Sequence, residues 1–198
     1  MADSPFAFLR SPQDIQDFLN TLPFRSPKRE PIVRSPRVVL ETRTASCMEG
    51  ALLAAAALMA LGEKPLLMDL KVSERSGDVD HVIALFRRDG CWGAISKTSH
   101  AVLRYREPVY RTPRELAMSF FHEYFTNEGK KTLRSFSKPF DVRTAFGSGW
   151  TEARSDLYEI AAALDDSPHE PILTKAAEQK LRRADPIEIA AGKLVDLP

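Results

Sequence analysis

Apolar positions along the chain follow two periods, one after the other. Behind Ser11-Pro12, Ile15, Phe18, Leu19 and Leu22 recur at helical spacing, and Asp14 stands in the first turn, close to a capping box. From Pro23 to Ser46 the pattern lapses. Pro27, Pro31 and Pro36 interrupt an arginine-rich stretch that is expected to be extended or irregular and draped over the surface. A helix then starts at Ser46 or Cys47 and runs to Leu61, with Gly62 as its stop. Its residues, MEGALLAAAALMAL, are apolar on nearly every face, the mark of a helix buried all round. The period next shortens to strands at Pro65–Ser73, His81–Arg88 and Cys91–Ser96. Asp89-Gly90 suits a two-residue type I′ hairpin, whose central positions both need positive φ, and the short loop 74–79 makes the first two strands antiparallel neighbours. Thr112-Pro113 with Glu115 reads as a capping box that opens a helix to about Phe125. Residues 126–150 read as irregular and rich in aromatics. Helices are expected at 151–164, 171–183 and 186–196, the last one capped at Asp185-Pro186.

Strands grouped apart from helices predict an α+β fold, with the Ala-rich helix packed on an antiparallel sheet of three or more strands and further helices toward the C-terminus. The expected division is one domain over 1–150 and a helical extension, 151–198, packed on it. Apolar residues make up 43% and charged residues 28% of the 198, which excludes a disordered chain, a collagen-like fibre and a coiled coil. A formal charge of +1 provides no bulk pull toward nucleic acid or anionic membrane. The longest apolar run, Ala51–Leu61, is about half of what spans a bilayer, and MADSPFAFLR lacks the regions of a secretion signal. Two cysteines are too few for a disulfide scaffold or a Cys-rich zinc site. The expectation is a soluble cytoplasmic protein with free thiols and neither nucleic-acid nor membrane partners.

Cys47 stands at the head of the buried helix, where unpaired N–H groups and the helix dipole favour a thiolate, so it is expected to react well below pH 8. The same N–H groups suit an oxyanion on an attacked carbonyl. A thiol nucleophile needs a base, and His81, at the start of a strand, is the candidate. In the hairpin register His81 faces Thr98, Ile83 faces Ser96 and Leu85 faces Ala94, so these six share one face of the sheet. The hydroxyl of Ser96 or Thr98 is then within reach of the imidazole N–H.

The segments TASCMEGALLAAAALMALG, DVDHVIALF and CWGAISKTSH, within roughly residues 41–100, resemble in order and spacing the transglutaminase-like family of papain-fold cysteine enzymes. The resemblance implies a papain-like core and a Cys–His–Asp triad that attacks an amide, ester or thioester of a peptide or small molecule through an acyl-enzyme, with no cofactor and no metal. Cys47 matches the nucleophile and His81 the base. The third position departs: after Trp92 the family's Asp is replaced by Ser96. A hydroxyl orients an imidazole without stabilising its charge. Three options stay open: a weakened enzyme, one in which Thr98, His100 or Asp69 orients His81, or a catalytically silent binding module on the same fold.

Other motifs have blander readings. Ser before Pro at 4, 11, 26, 35 and 167 is turn and helix-start chemistry. His122-Glu123 lacks the second histidine of a metalloprotease helix, because Thr126 stands there. Phe120, Phe121, Tyr124 and Phe125 read as core, and LRYREPVYR (103–111) as a strand with a solvated basic edge. Cys91 falls on the opposite face from His81. Substrate and oligomeric state are not encoded in any motif.

Overall fold

The structure, a computed structural model, describes residues 5–26 and 32–196. Ser4, Pro27 and Pro31 lie outside these. The helices are α1 (Pro12–Asn20), α2 (Pro36–Thr42), α3 (Cys47–Ala60), α4 (Pro113–Phe121), α5 (Val142–Phe146), α6 (Tyr158–Asp165), α7 (Lys175–Glu178) and α8 (Pro186–Gly192). The strands are β1 (Leu66–Val72), β2 (His81–Arg88), β3 (Cys91–Ile95), β4 (Arg106–Tyr110), β5 (Leu133–Ser137), β6 (Phe140–Asp141) and β7 (His169–Pro171). The strands form one open antiparallel sheet in the order β4-β3-β2-β1-β5-β7, and β6 pairs with the start of β1. The fold is mixed α+β. Among the described residues, no helix is long and apolar enough to cross a membrane.

The hairpin of β2 and β3 has the expected register, from Ala84 opposite Ile95 to Arg88 opposite Cys91. Its turn residues Asp89 and Gly90 take φ of 51° and 81°, as a type I′ turn requires. The ladder stops at Ile95, so Ser96 and Thr98 leave the sheet. β4, the predicted strand with the basic edge, pairs with β3.

Both faces of the sheet are covered. Leu67, Ala84, Phe86 and Ile95 pack under α3, together with Ile15 and Leu19 of α1, Val39 of α2 and Ile160 and Leu164 of α6. Met68, Leu70, Ile83, Leu85, Ala94 and Phe136 point to the other side, against Leu116, Ala117, Phe120 and Phe121 of the aromatic-rich α4. Alternation along β2 therefore assigns His81 to the α4 side. All of Ala51–Leu58 is buried, and the alanines let α3 lie close on its neighbours. At Gly50 even one methyl is excluded, because a Cβ there would collide with the Lys97 side chain where the chain leaves β3.

Several expectations are corrected. The stretch from Pro23 to Ser46 holds α2: Ser35 caps it by accepting from Val38 N at 3.3 Å, Pro36 fills its first turn, and Val39 is fully buried. The irregular reading of 126–150 gives way to β5, β6 and α5, since β1 pairs with β5 along its second half and with β6 at its start. Of the helix expected at 171–183 only the single turn α7 forms; the edge strand β7 runs up to its expected start at Pro171. α4 ends at Phe121, and Glu115 turns its carboxylate to the N–H of Arg111 (2.7 Å) where a full capping box would take that of Thr112.

Candidate active site

Cys47 is the first residue of α3. Ser46 caps the helix, and Glu49, three residues on, accepts from Ser46 N at 2.8 Å, completing a capping box. The Glu49 carboxylate is fully buried and also receives Arg25 (2.6 Å) and Arg34 (2.9 Å). Burial alone would raise its pKa, but the two guanidiniums and backbone N–H groups outweigh that and hold it at about 2. This network fastens the segment before α2 to the tip of α3 and so fixes the backbone that carries the thiol.

Cys47 and His81 line one cavity of about 230 Å³, together with Thr98, His100 and Tyr124. The backbone N–H of Val82, the residue after His81, acts on the Cys47 thiol and favours its charged form. Burial pushes the thiol up; the N–H groups of Val82 and Met48 pull it down, and the charge of Asp69 raises it again, with a net upward shift. The expectation of a thiol acidified by the helix tip is therefore corrected, because desolvation outweighs the N–H groups. Burial also lowers His81 to about 4, with His100 and Arg106 adding to the effect. At neutral pH the cavity holds a neutral thiol and a neutral imidazole, and no hydrogen bond joins the two.

The imidazole is held by Ser96. His81 Nε2 lies 2.7 Å from Ser96 Oγ, and that hydroxyl spends its own proton on the Leu103 carbonyl, also at 2.7 Å. The oxygen must therefore accept from Nε2–H, which leaves the lone pair on Nδ1. Ser96 is fixed in turn by Gln16 of α1. Gln16 Oε1 accepts from Ser96 N at 2.9 Å and its Nε2 donates to Ser96 O at 3.0 Å, so one side chain serves both backbone groups just where the ladder ends. Sequence reasoning passed over Gln16. The available signal was a polar residue flanking the buried stripe of Ile15 and Leu19; Gln16 is itself 4% exposed.

The other candidate orienters are engaged elsewhere. Thr98 Oγ1 accepts from His100 N (3.0 Å), and His100 Nδ1 lies 3.0 Å from the Gly192 carbonyl. Asp69 pairs across the sheet with Val82 and contacts His169 Nε2 at 3.1 Å, on the face away from His81. Burial and the charge of Asp80 raise Asp69 to about 6. Among the described residues, Asp69, Asp80 and Asp165 come close enough to share a cation. Protein groups already occupy that space: Lys71 Nζ pairs with Asp165 (2.9 Å), His169 with Asp69, and Val72 N with Asp80 (2.7 Å). Cys91 lies half-buried beside the hairpin turn as a free thiol. Glu123 is bound to Arg106 at 2.6 Å.

The chain matches no family model, and a search of curated proteins finds no match.

Proposed function

We propose that this protein is a transglutaminase-like cysteine enzyme on a papain-like core, hydrolysing or transferring an acyl group from an amide or ester through Cys47 and His81, with Ser96 holding the imidazole. The observation that carries this reading is the spent proton of Ser96. It fixes the tautomer in which Nδ1 is free to act as base, inside the cavity that also holds the thiol. Because both groups rest neutral, His81 takes the Sγ proton as the sulfur–carbon bond forms, rather than starting from an ion pair. The N–H groups at the tip of α3 are the donors suited to the oxyanion. His81 then returns its proton to the leaving group, and water or an amine releases the acyl group.

A second reading is favoured by the missing carboxylate. Orienting an imidazole and stabilising its charge are separate duties of a triad's third member, and Ser96 performs the first alone. With a neutral thiol and a base lowered to about 4, a catalytically silent binding module on the same fold fits the site as well.

The two readings separate by intact mass after incubation with activated esters, thioesters and glutamine-containing peptides. The enzyme reading expects an acyl adduct that disappears in Cys47→Ala, and acylation slowed by about 10²–10⁴ in His81→Ala. Absence of any thiol-dependent adduct or turnover across the panel would leave the binding module.

A further inference from the structure

A second cavity, of about 570 Å³, lies between the start of β5 with the loop before it and the segment that carries α7. Six cationic side chains line it (Lys130, Lys131, Arg134, Lys175, Arg182 and Arg183) against one acid, Glu178. The whole chain has 28 basic and 27 acidic residues, so this is a strong local separation of charge. Carboxylates hold three of the six: Glu178 takes Arg134 at 2.7 Å, Asp185 takes Arg182 at 3.3 Å and Glu188 takes Lys131 at 3.5 Å. Among the described residues, Lys130, Lys175 and Arg183 form no ion pair; Arg183 donates to the Glu128 carbonyl at 3.5 Å, and its charge also favours the ionised Glu128 carboxylate.

Three cations without a carboxylate ion pair line one groove, and a multivalent anion bound there would meet several of them at once. The volume falls within the roughly 300–1,000 Å³ usual for small-molecule sites. Leu181 is the one aliphatic residue of the lining and no aromatic ring belongs to it, so a nucleobase would find no stacking platform there. We propose that this groove binds a small, wholly polar molecule bearing linked phosphate groups, recognised through Lys130, Lys175 and Arg183. The site is separate from the cavity of Cys47 and independent of the reading given to it.

The probe is sodium tripolyphosphate, titrated calorimetrically into the full chain. Saturable one-to-one binding is expected, weaker by about tenfold or more for orthophosphate, and falling as salt rises from about 50 to 200 mM. The Lys175→Glu/Arg183→Glu variant should abolish it. No residue of α7 is buried, and Arg183 is exposed, so the variant should melt as the wild type does. Lys130→Gln/Lys175→Gln, which adds no new charge, should give a partial loss. Cosedimentation with phosphatidylcholine vesicles carrying phosphatidylinositol 4,5-bisphosphate distinguishes a lipid headgroup from a free ligand; charge-sensitive binding in either arm supports the site. Silence in both arms overturns the proposal. So does equal binding by wild type and variants, or an affinity for single-stranded oligonucleotides that keeps growing with length, since that marks an open polyanion surface.

Discussion

Replacing His81 with Gln removes a titrating group from the core while keeping an N–H donor for Ser96. The imidazole is 5% exposed, and its pKa is lowered from 6.5 to about 4, mainly by burial. A histidine kept neutral in the fold is protonated first in the unfolded chain. Its contribution to stability is therefore intact above pH 6.5 and lost as pH falls toward 4. A shift of this size, at about 1.4 kcal/mol per pH unit, amounts to about 3 kcal/mol between pH 7 and pH 4. Asp69 works against it: with a folded pKa raised to about 6, that carboxyl favours the fold at low pH and loses its contribution as pH rises through 6. Asp69 is present in both proteins, so its effect cancels in the difference. Urea unfolding of wild type and His81→Gln at half-unit steps from pH 4 to 7.5 isolates the histidine. The wild type should lose about 3 kcal/mol more than the variant over that range. Parallel stability curves would show that His81 is not held neutral, and the argument for a neutral imidazole in the Cys47 cavity would go with it.

Three further outcomes follow from the same geometry. Iodoacetamide should label Cys47 more slowly than an ordinary free thiol at pH 7 and accelerate only on the alkaline side, because burial raises the thiol; mass-resolved labelling of Cys47→Ala separates it from Cys91, and fast labelling at pH 6 would contradict the raised pKa. Ser96→Asp, which supplies the carboxylate implied by the resemblance to transglutaminase-like enzymes, should impair the site, because Ser96 both accepts from His81 and donates to the Leu103 carbonyl, and a carboxylate cannot donate; a rise in acyl transfer, or unchanged stability, would refute this. Gln16→Leu leaves the buried N–H and C=O of Ser96 without partners, at a cost of about 2–4 kcal/mol in urea unfolding, and a loss below about 0.5 kcal/mol would show that Gln16 does not hold Ser96.

The elements that local chemistry specifies were legible in the sequence. Ser46 with Glu49 starts α3, alanines at every face bury it, Asp89-Gly90 sets the hairpin, and alternation puts His81 and Ile83 on one face. Each depends on contacts within a few residues, where spacing alone fixes geometry. α2 shares the Ser-Pro start of α1 but lay hidden among prolines, and its burial against α3 is what selects the helix. β5, β6 and β7 are too short to show a clear period, and they are strands because β1 and then β5 offer open edges to pair with.

The candidate site divides along the same line. The sequence by itself singled out the candidate residues, a cysteine at a helix tip, a histidine at a strand start and a hydroxyl-bearing residue after the next strand, because their positions follow from helix caps and strand period. Only the tertiary structure decided their state. Burial turns an expected thiolate into a neutral thiol, Leu103 and Gln16 select Ser96 over Thr98, His100 and Asp69 as the partner of His81, and the imidazole's tautomer depends on a proton given to a carbonyl seven residues away. Solvation and hydrogen-bond partners are properties of what surrounds a group in space, and no reading of its neighbours along the chain supplies them.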